Sequence, residues 1–506
     1  MKINRNIFIV ILGIILWLPS GCSEEFLIQE NTREATDESL FDEPDHAVQL
    51  ISGVYNTFHN NDFIIKALWY QANFLTQDYK NWGSDTFFAT YEIPTNFGAL
   101  NTFWERSYQG IARVNSALEI IPKMRDKGVI DQALADRLMG EAFFLRGIFH
   151  YYLATEFGGV PIVMEISTDD GRNPRNTQDE VFNAVASDMR AAADLLPWEE
   201  EYGSENIGRA SKGAALAYLG DAQMWLGQYD DAVTSYNQLE GHYNLEQNFM
   251  DIQDYYNQNG SEAIFSVQYS ESSTMRNWVS DTHWLETFTG PEEITGTGYA
   301  YVDKKYYDSF EEGDERKFAT VIGPGDEHPD PKINISDYAN VEANYGGMNT
   351  LGTIENPWTG NDGQRSGYYD LKTWRDPFVT GNYGDNVMSD RNLIFMRYGQ
   401  VLLSKAEALF RSGHEGEARG IINNQIRSRA GLEPSNEGDF LTLLANEYRA
   451  ELGGEFSLFF YLRRGGIAEE FVMKNYGITI PQGHTLMPIP VAQIATNEEL
   501  VQNPGY

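Results

Sequence analysis

The chain has 506 residues with 74 acidic and 37 basic side chains, a formal net charge of −37. That balance argues against nucleic acid as a partner, because phosphate binding needs clustered Lys and Arg, and against charge-driven adhesion to anionic lipid. A single cysteine leaves the fold to stand on packing alone, and the length admits two to four domains.

The amino terminus reads as an export signal. Met1 to Arg5 is a short basic start, Ile7 to Leu18 is almost unbroken hydrophobe, and Pro19-Ser20-Gly21 precede Cys22. A charged start, an apolar stretch and small residues before a cleavage point make a secretory signal. The apolar stretch is too short to span a hydrocarbon core of roughly 30 Å. Cys22, the only cysteine, resembles the lipid-modified cysteine of bacterial lipoproteins, with Pro19 where that pattern usually has Leu. Loss of residues 1–21 removes Lys2 and Arg5 and no acid, which takes the net charge from −37 to −39. Residues 22–45 are polar and acidic and read as a tether.

Helical periodicity starts after the tether. Asp45 to Phe58 carries Ala47, Leu50, Ile51, Val54, Tyr55 and Phe58 at three- and four-residue spacing. The strongest pattern runs over Ala133 to Phe157, apolar on two faces, which predicts a helix buried between neighbours. Gly158-Gly159-Val160-Pro161 ends it. Asp179 to Leu196 is a further amphipathic helix stopped by Pro197. Ser211 to Leu226 follows, rich in Gly and Ala that let helix axes approach closely. Trp225-Leu226-Gly227-Gln228-Tyr229 with Ala232 and Tyr236 is similar to the tetratricopeptide signature, with altered spacing. A second hairpin of this kind is predicted from Arg397 to Arg411, a Ser412-Gly413 turn, and Glu415 to Arg429.

Residues 260–392 differ. Ala263 to Tyr269 predicts a short strand, and Gly, Pro, Asn, Asp and aromatics follow with little periodicity. Long loops inside a folded unit usually carry function. The fold class expected is mostly α, with TPR-like hairpins forming a partly solenoid scaffold, a long irregular loop region and minor β.

An ordered series of short motifs resembles the SusD/RagB family of surface nutrient-binding lipoproteins of Bacteroidetes. The series runs from Cys22-Ser23-Glu24-Glu25-Phe26-Leu27 through Trp104, Tyr108 and Gly110 to Asn115. It continues through Glu141 to Arg146 with Phe157 to Pro161, and then Gly208 to Ala215. Arg397-Tyr398, Ala406-Glu407-Ala408, Asn423 to Leu432, Pro488-Ile489-Pro490 and Gln502 to Tyr506 complete it. Each piece is weak alone; in order they cover almost the whole mature chain. The sequence departs from the family at Glu447-Tyr448 and Arg463-Arg464-Gly465, where E-R-x-x-E-L and R-W-G are common. The organisation expected is a signal at 1–21, a tether at 22–45, a helical part at 46–260 and a loop-bearing part at 261–506, the last two forming one unit.

Binding is a better reading than catalysis. No histidine stands in H-E-x-x-H spacing, since Ala418 occupies the place of the second His after His414-Glu415. There is no G-x-S-x-G elbow and no Walker loop. Arg146, Glu141, Arg397 and Glu407 sit in apolar helices, where charge is kept if paired, so they are expected to be scaffold. Arg209 and Lys212 are expected to cap and pack. With 29 Tyr, 28 Phe and 10 Trp, the chain has rings to spare for packing on sugar faces while their polar edges stay wet. Ligand-binding candidates are Trp82 and Trp278 for stacking, Asp78, Asn81 and Arg276 for hydrogen bonding, and Trp284 and Tyr299 beside them. No cofactor is expected; Asp314-Glu315 or Glu292-Glu293 are the acid pairs open to calcium. The resemblance implies a glycan-binding lipoprotein of polysaccharide utilisation, anchored at Cys22 to the outer membrane and facing outward. It would deliver its ligand to a SusC-like TonB-dependent transporter. A peptide-binding RagB-like uptake protein and a TPR-like interaction scaffold are the alternatives.

Overall fold

The computed structural model describes residues 42–166, 171–270, 283–374 and 389–506. Cys22, and with it the signal and most of the tether, lies outside the described residues, as do Arg276 and Trp278.

Several of the long helices begin where a side chain caps them. Helix α1 is Pro44–Tyr55 and α2 is Gly98–Asp126. Asp131 accepts from the Leu134 N–H and starts α3, Gln132–Phe157. Thr177 and Glu180 form a reciprocal capping box ahead of α4, Gln178–Leu195. Ser211 accepts from the Ala214 N–H and starts α5, Lys212–Trp225, with α6 at Tyr229–Asn237. Helix α3 is buried on nearly every face from Gly140 to Phe157, as its doubly apolar pattern predicts. It lies between α2 and α4; α5 packs on α4 and α6 on α5, so the helices stack in chain order. The small residues of α5 make that stack close: a Cβ on Gly220 would fall 2.4 Å from the Tyr236 ring of α6.

The carboxyl half repeats the hairpin with α7, Tyr398–Arg411, and α8, Glu415–Ile421. The expected single helix to Arg429 is interrupted by a π-helical turn at Ile422–Arg427. The wider turn keeps Ile422, Ile426 and Arg427 all buried. Helices α9, Phe440–Leu452, α10, Leu458–Arg464, and α11, Ala468–Tyr476, follow. Helix α7 packs on α6, and one apolar core runs from Ala47 to Leu500 through both halves.

The stretch expected as irregular is built from elements too short to show a period. Strand β1, Tyr79–Asn81, pairs antiparallel with β3, Ala300–Val302. Strand β2, Ala263–Val267, pairs with β6, Leu393–Arg397, and β4, Val321–Ile322, with β5, Tyr369–Asp370. A second small core, with Ile322, Tyr338, Leu351, Trp358 and Tyr369, holds this region together.

The charges placed in apolar helices are paired. Arg146 grips Asp188 at 2.7 and 2.9 Å, Glu141 is shared by Arg137 and Arg209, and Arg464 reaches Glu407 at 2.8 Å. Lys212 lies over the Trp198 ring. Arg397 has no exposed surface and contacts Glu262 at 2.5 Å, Glu451 at 2.8 Å and Glu455 at 2.8 Å. Burial alone would raise the Glu451 carboxyl; Arg429, Arg397 and Arg316 outweigh it and hold it well below the usual range. Arg397→Met would remove the central cation shared by three buried carboxylates, leaving Arg429, Arg316 and Lys372 to balance them. We expect a loss of about 3–5 kcal/mol, seen as a lower urea midpoint at unchanged slope.

Two buried histidines are fixed as neutral rings. His150 Nδ1 donates to the Arg146 carbonyl while Nε2 accepts from the Val163 N–H. His283 uses the opposite tautomer, donating from Nε2 to the Arg391 carbonyl and accepting at Nδ1 from the Leu285 N–H. Burial pulls His150 down to about 4 and His283 to about 3. An unfolded chain takes up these protons near pH 6.5, so their contribution to stability is present above that pH and lost as pH falls toward about 4 for His150 and about 3 for His283. At about pH 5, nitrogen NMR should find both rings neutral, in opposite tautomers.

Candidate binding site

The β1–β3 ribbon carries the aromatic loop. Tyr79 pairs with Val302 and Asn81 with Ala300, and the ladder continues as the Trp82 N–H donates to the Tyr299 carbonyl at 2.8 Å. The chain then turns at Gly83, with φ of +100°. A Cβ there would meet the Tyr299 ring at 3.1 Å, so both conformation and space call for glycine.

Tyr299 organises what surrounds it. Its hydroxyl donates to Asp85 Oδ2 at 2.7 Å and accepts from Asn81 Nδ2 at 3.3 Å. Burial, and then the bond to Asp85, push the phenol up to about 12, so it stays protonated. Its ring stacks on Tyr70 at 6.0 Å and tilts against Phe288 at 4.9 Å. Phe288 in turn meets Trp284 edge-on at 4.4 Å, and Lys66 lies 5.2 Å from the Trp284 ring. Trp82, Asn81, Tyr299 and Trp284 are thus brought into one neighbourhood, bridged by Phe288.

Trp82 is half-buried and rests on a cation. The Arg365 guanidinium sits 4.3 Å from its ring centre, in cation–π contact. Arg365 is itself held by the Gly298 carbonyl at 2.9 Å, Asp362 at 2.6 Å and Glu292 at 2.9 Å. Asn361 joins Glu292 at 2.6 Å. The indole therefore has a fixed orientation without being sealed in. Arg365, Asp362, Asn361 and Phe288 were not named from the sequence. They lie in aperiodic stretches, where only Gly360 and Gly363, at φ +75° and +72°, mark the turns.

Asp78 is corrected by the structure. It is fully buried, gripped by Arg449 of α9 through Nε at 3.0 Å and by the Tyr476 hydroxyl at 2.6 Å. Its carboxylate belongs to the scaffold, not to a ligand. Three of the four acids open to calcium are likewise engaged: Asp314 with Arg316 at 2.8 Å, Glu292 with Arg365, and Glu293 with the Gly360 N–H at 2.9 Å. Among the described residues, no group of three or more His, Cys, Asp or Glu is placed to hold a metal ion. Half-exposed rings beside an amide, carboxylates and a guanidinium suit hydrogen-bonded recognition of a ligand with apolar faces.

Comparison with known proteins adds family and fold. Residues 25–224 match a family described as starch-binding, associating with outer membrane, and residues 228–506 match the SusD family. SusD-like protein P2 of Formosa agariphila is 23% identical over 447 residues, which cover 81% of each chain. Surface glycan-binding protein A from Bacteroides fluxus superposes with a TM-score of 0.73 at 21% identity, over 94% of this chain and all of that one. Surface glycan-binding protein A from Bacteroides thetaiotaomicron, in complex with laminarihexaose, gives 0.73 at 20% identity, over 91% of this chain and 99% of that one.

The Gly83 turn supplies a test of the ribbon. Gly83→Ala should cost about 1–2 kcal/mol in urea unfolding, through left-handed strain and the clash with Tyr299. Ser84→Ala, on the exposed neighbour, should fall within about 0.5 kcal/mol of the parent.

Proposed function

Since the chain belongs to the SusD family, we propose that it is a glycan-binding protein of the outer-membrane surface. The observation that carries this reading is Trp82, held half-exposed on Arg365 at the end of the β1–β3 ribbon, beside Asn81 and Tyr299. An amphipathic ring with a fixed face is what a pyranose stacks on, and the buried Asn81 amide steadies the Tyr299 hydroxyl beside it. A laminarihexaose-bound relative of the same fold supports an oligosaccharide as the ligand class.

In this reading Cys22 carries the lipid, and residues 22–45 hold the folded part within tether reach of the membrane. The glycan passes to a SusC-like TonB-dependent transporter, and the protein captures rather than cleaves. The acidic character of the chain favours a neutral glycan over a polyanionic one.

Calorimetry against neutral polysaccharides, laminarin and starch among them, and against peptides tests the proposal. We expect saturable binding to a glycan, weakened at least about tenfold in Trp82→Ala, equivalent to about 1.4 kcal/mol. Saturable peptide binding without any glycan binding would overturn it in favour of a RagB-like role.

A further inference from the structure

We propose that a second carbohydrate site lies in the cleft between residues 248–256 and residues 328–333, remote in sequence from Trp82 and sharing no lining residue with its surroundings. It rests on the glycan-binding reading for its class of ligand, not for its location.

The cleft encloses about 350 Å³, within the size range of small-ligand sites. Tyr255, Tyr256 and Trp374 line it. Tyr256 is 69% exposed, which leaves its ring open to a ligand in the cleft. It is held at that exposure: its N–H donates to Asp254 Oδ1 at 3.0 Å, and its ring meets Tyr255 at right angles, 5.5 Å away. Trp374 has its polar edge satisfied by the Tyr338 hydroxyl at 2.8 Å, leaving the rest of the indole as apolar wall.

The polar lining mixes donors and acceptors. His328 Nδ1 accepts from the Asp330 N–H at 3.1 Å, so the neutral ring carries its proton on Nε2, and that donor has no acceptor among the described residues. Burial draws the imidazole down to about 4 and keeps it neutral. Arg391, almost fully buried, is pinned to the Gln253 carbonyl at 2.9 Å. Acids and bases in the lining largely offset one another, so the site has no strong preference for an ion. Stacking rings with mixed hydrogen-bonding groups and little net field suit a neutral sugar.

The cleft also extends. A neighbouring cavity of about 400 Å³ shares His328, Pro329 and Leu371 with it and runs past Tyr307 and Phe318, the latter 58% exposed. An extended groove fits a chain of sugar units rather than one residue.

Met250, in the wall of the cleft, is a reporter. Protein labelled at its methionine methyls would be titrated with maltohexaose, laminarihexaose, cellohexaose, xylohexaose and mannohexaose, and with a pool of hexapeptides. We expect the Met250 methyl resonance to shift saturably with at least one hexasaccharide, in the parent and in Trp82→Ala alike. Tyr256→Ala should weaken that response about fivefold or more. A Met250 signal unmoved by every hexasaccharide, moved only by peptides, or moved equally in Tyr256→Ala would overturn the proposal. A Met250 response with glycan affinity indifferent to Trp82→Ala would sink the first site and keep the second; Trp82-dependent binding with a silent Met250 would do the reverse.

Discussion

Arg397 is a permanent charge with no exposed surface, and the arrangement of the whole carboxyl half follows from holding it there. Burying an ion costs several kcal/mol unless partners and hydrogen bonds offset it. The partners come from separated stretches: Glu262 just ahead of β2, Glu451 in α9, and Glu455 in the turn beyond α9. Arg397 itself ends β6 and starts α7. One guanidinium thereby fixes a two-stranded sheet against two helices. From Glu455 the order spreads toward the β1–β3 ribbon. Asn73 donates to the Glu455 carbonyl at 2.8 Å, and Trp69 to the Gly454 carbonyl at 2.7 Å. Lys372 joins Glu455 at 2.6 Å, the Lys372 N–H reaches Asp370, and Asp370 accepts from the Tyr79 hydroxyl at 3.1 Å. Arg449 of α9 holds Asp78, the residue before β1. The position of Trp82 is thus set from the carboxyl-terminal end of α9, by charges buried in the scaffold.

The amino half solves the same problem around a carboxylate. Asp221 of α5 accepts from Tyr151 of α3 at 3.0 Å, Tyr236 of α6 at 2.6 Å and Tyr461 of α10 at 2.8 Å, and pairs with Arg464 at 3.0 Å. Four donors on one acid align four helices, and the small residues of α5 let those donors come close. The Arg463-Arg464-Gly465 stretch, where the sequence departs from the family pattern, therefore keeps a structural role: Arg464 reaches Asp221 and Glu407, and Arg463 donates to the Thr485 carbonyl at 2.8 Å.

The helical framework was legible because helices α3, α4 and α5 are long enough to show their period and carry their own caps and stops. The site was legible only as far as its aromatics. Trp82, Asn81 and Tyr299 stand out as rings and an amide in a Gly-ended loop, yet Asp78 in the same loop looks like them and is scaffold. What separates it is Arg449, 371 positions away, and no local pattern encodes that pairing. Arg365 was hidden for the same reason: its role under Trp82 depends on strands of two and three residues, whose apolar positions give no readable alternation.

Internal pairing also shapes what the surface can meet. Arg146, Arg316, Arg397, Arg449 and Arg464 are matched to acids inside the molecule, so they offset little of the acidic excess outside. Much of the net charge of −37 therefore falls outside these pairs. A polyanionic chain would approach that exterior against a repulsive field, whereas a neutral one would not. At Trp82 the field is locally balanced, because Arg365 stands against Glu292 and Asp362 directly beneath the ring. On the proposed reading, a flat apolar face, cancelled local charge and a repellent surround together favour ligands that are neutral, ring-shaped and rich in hydroxyls.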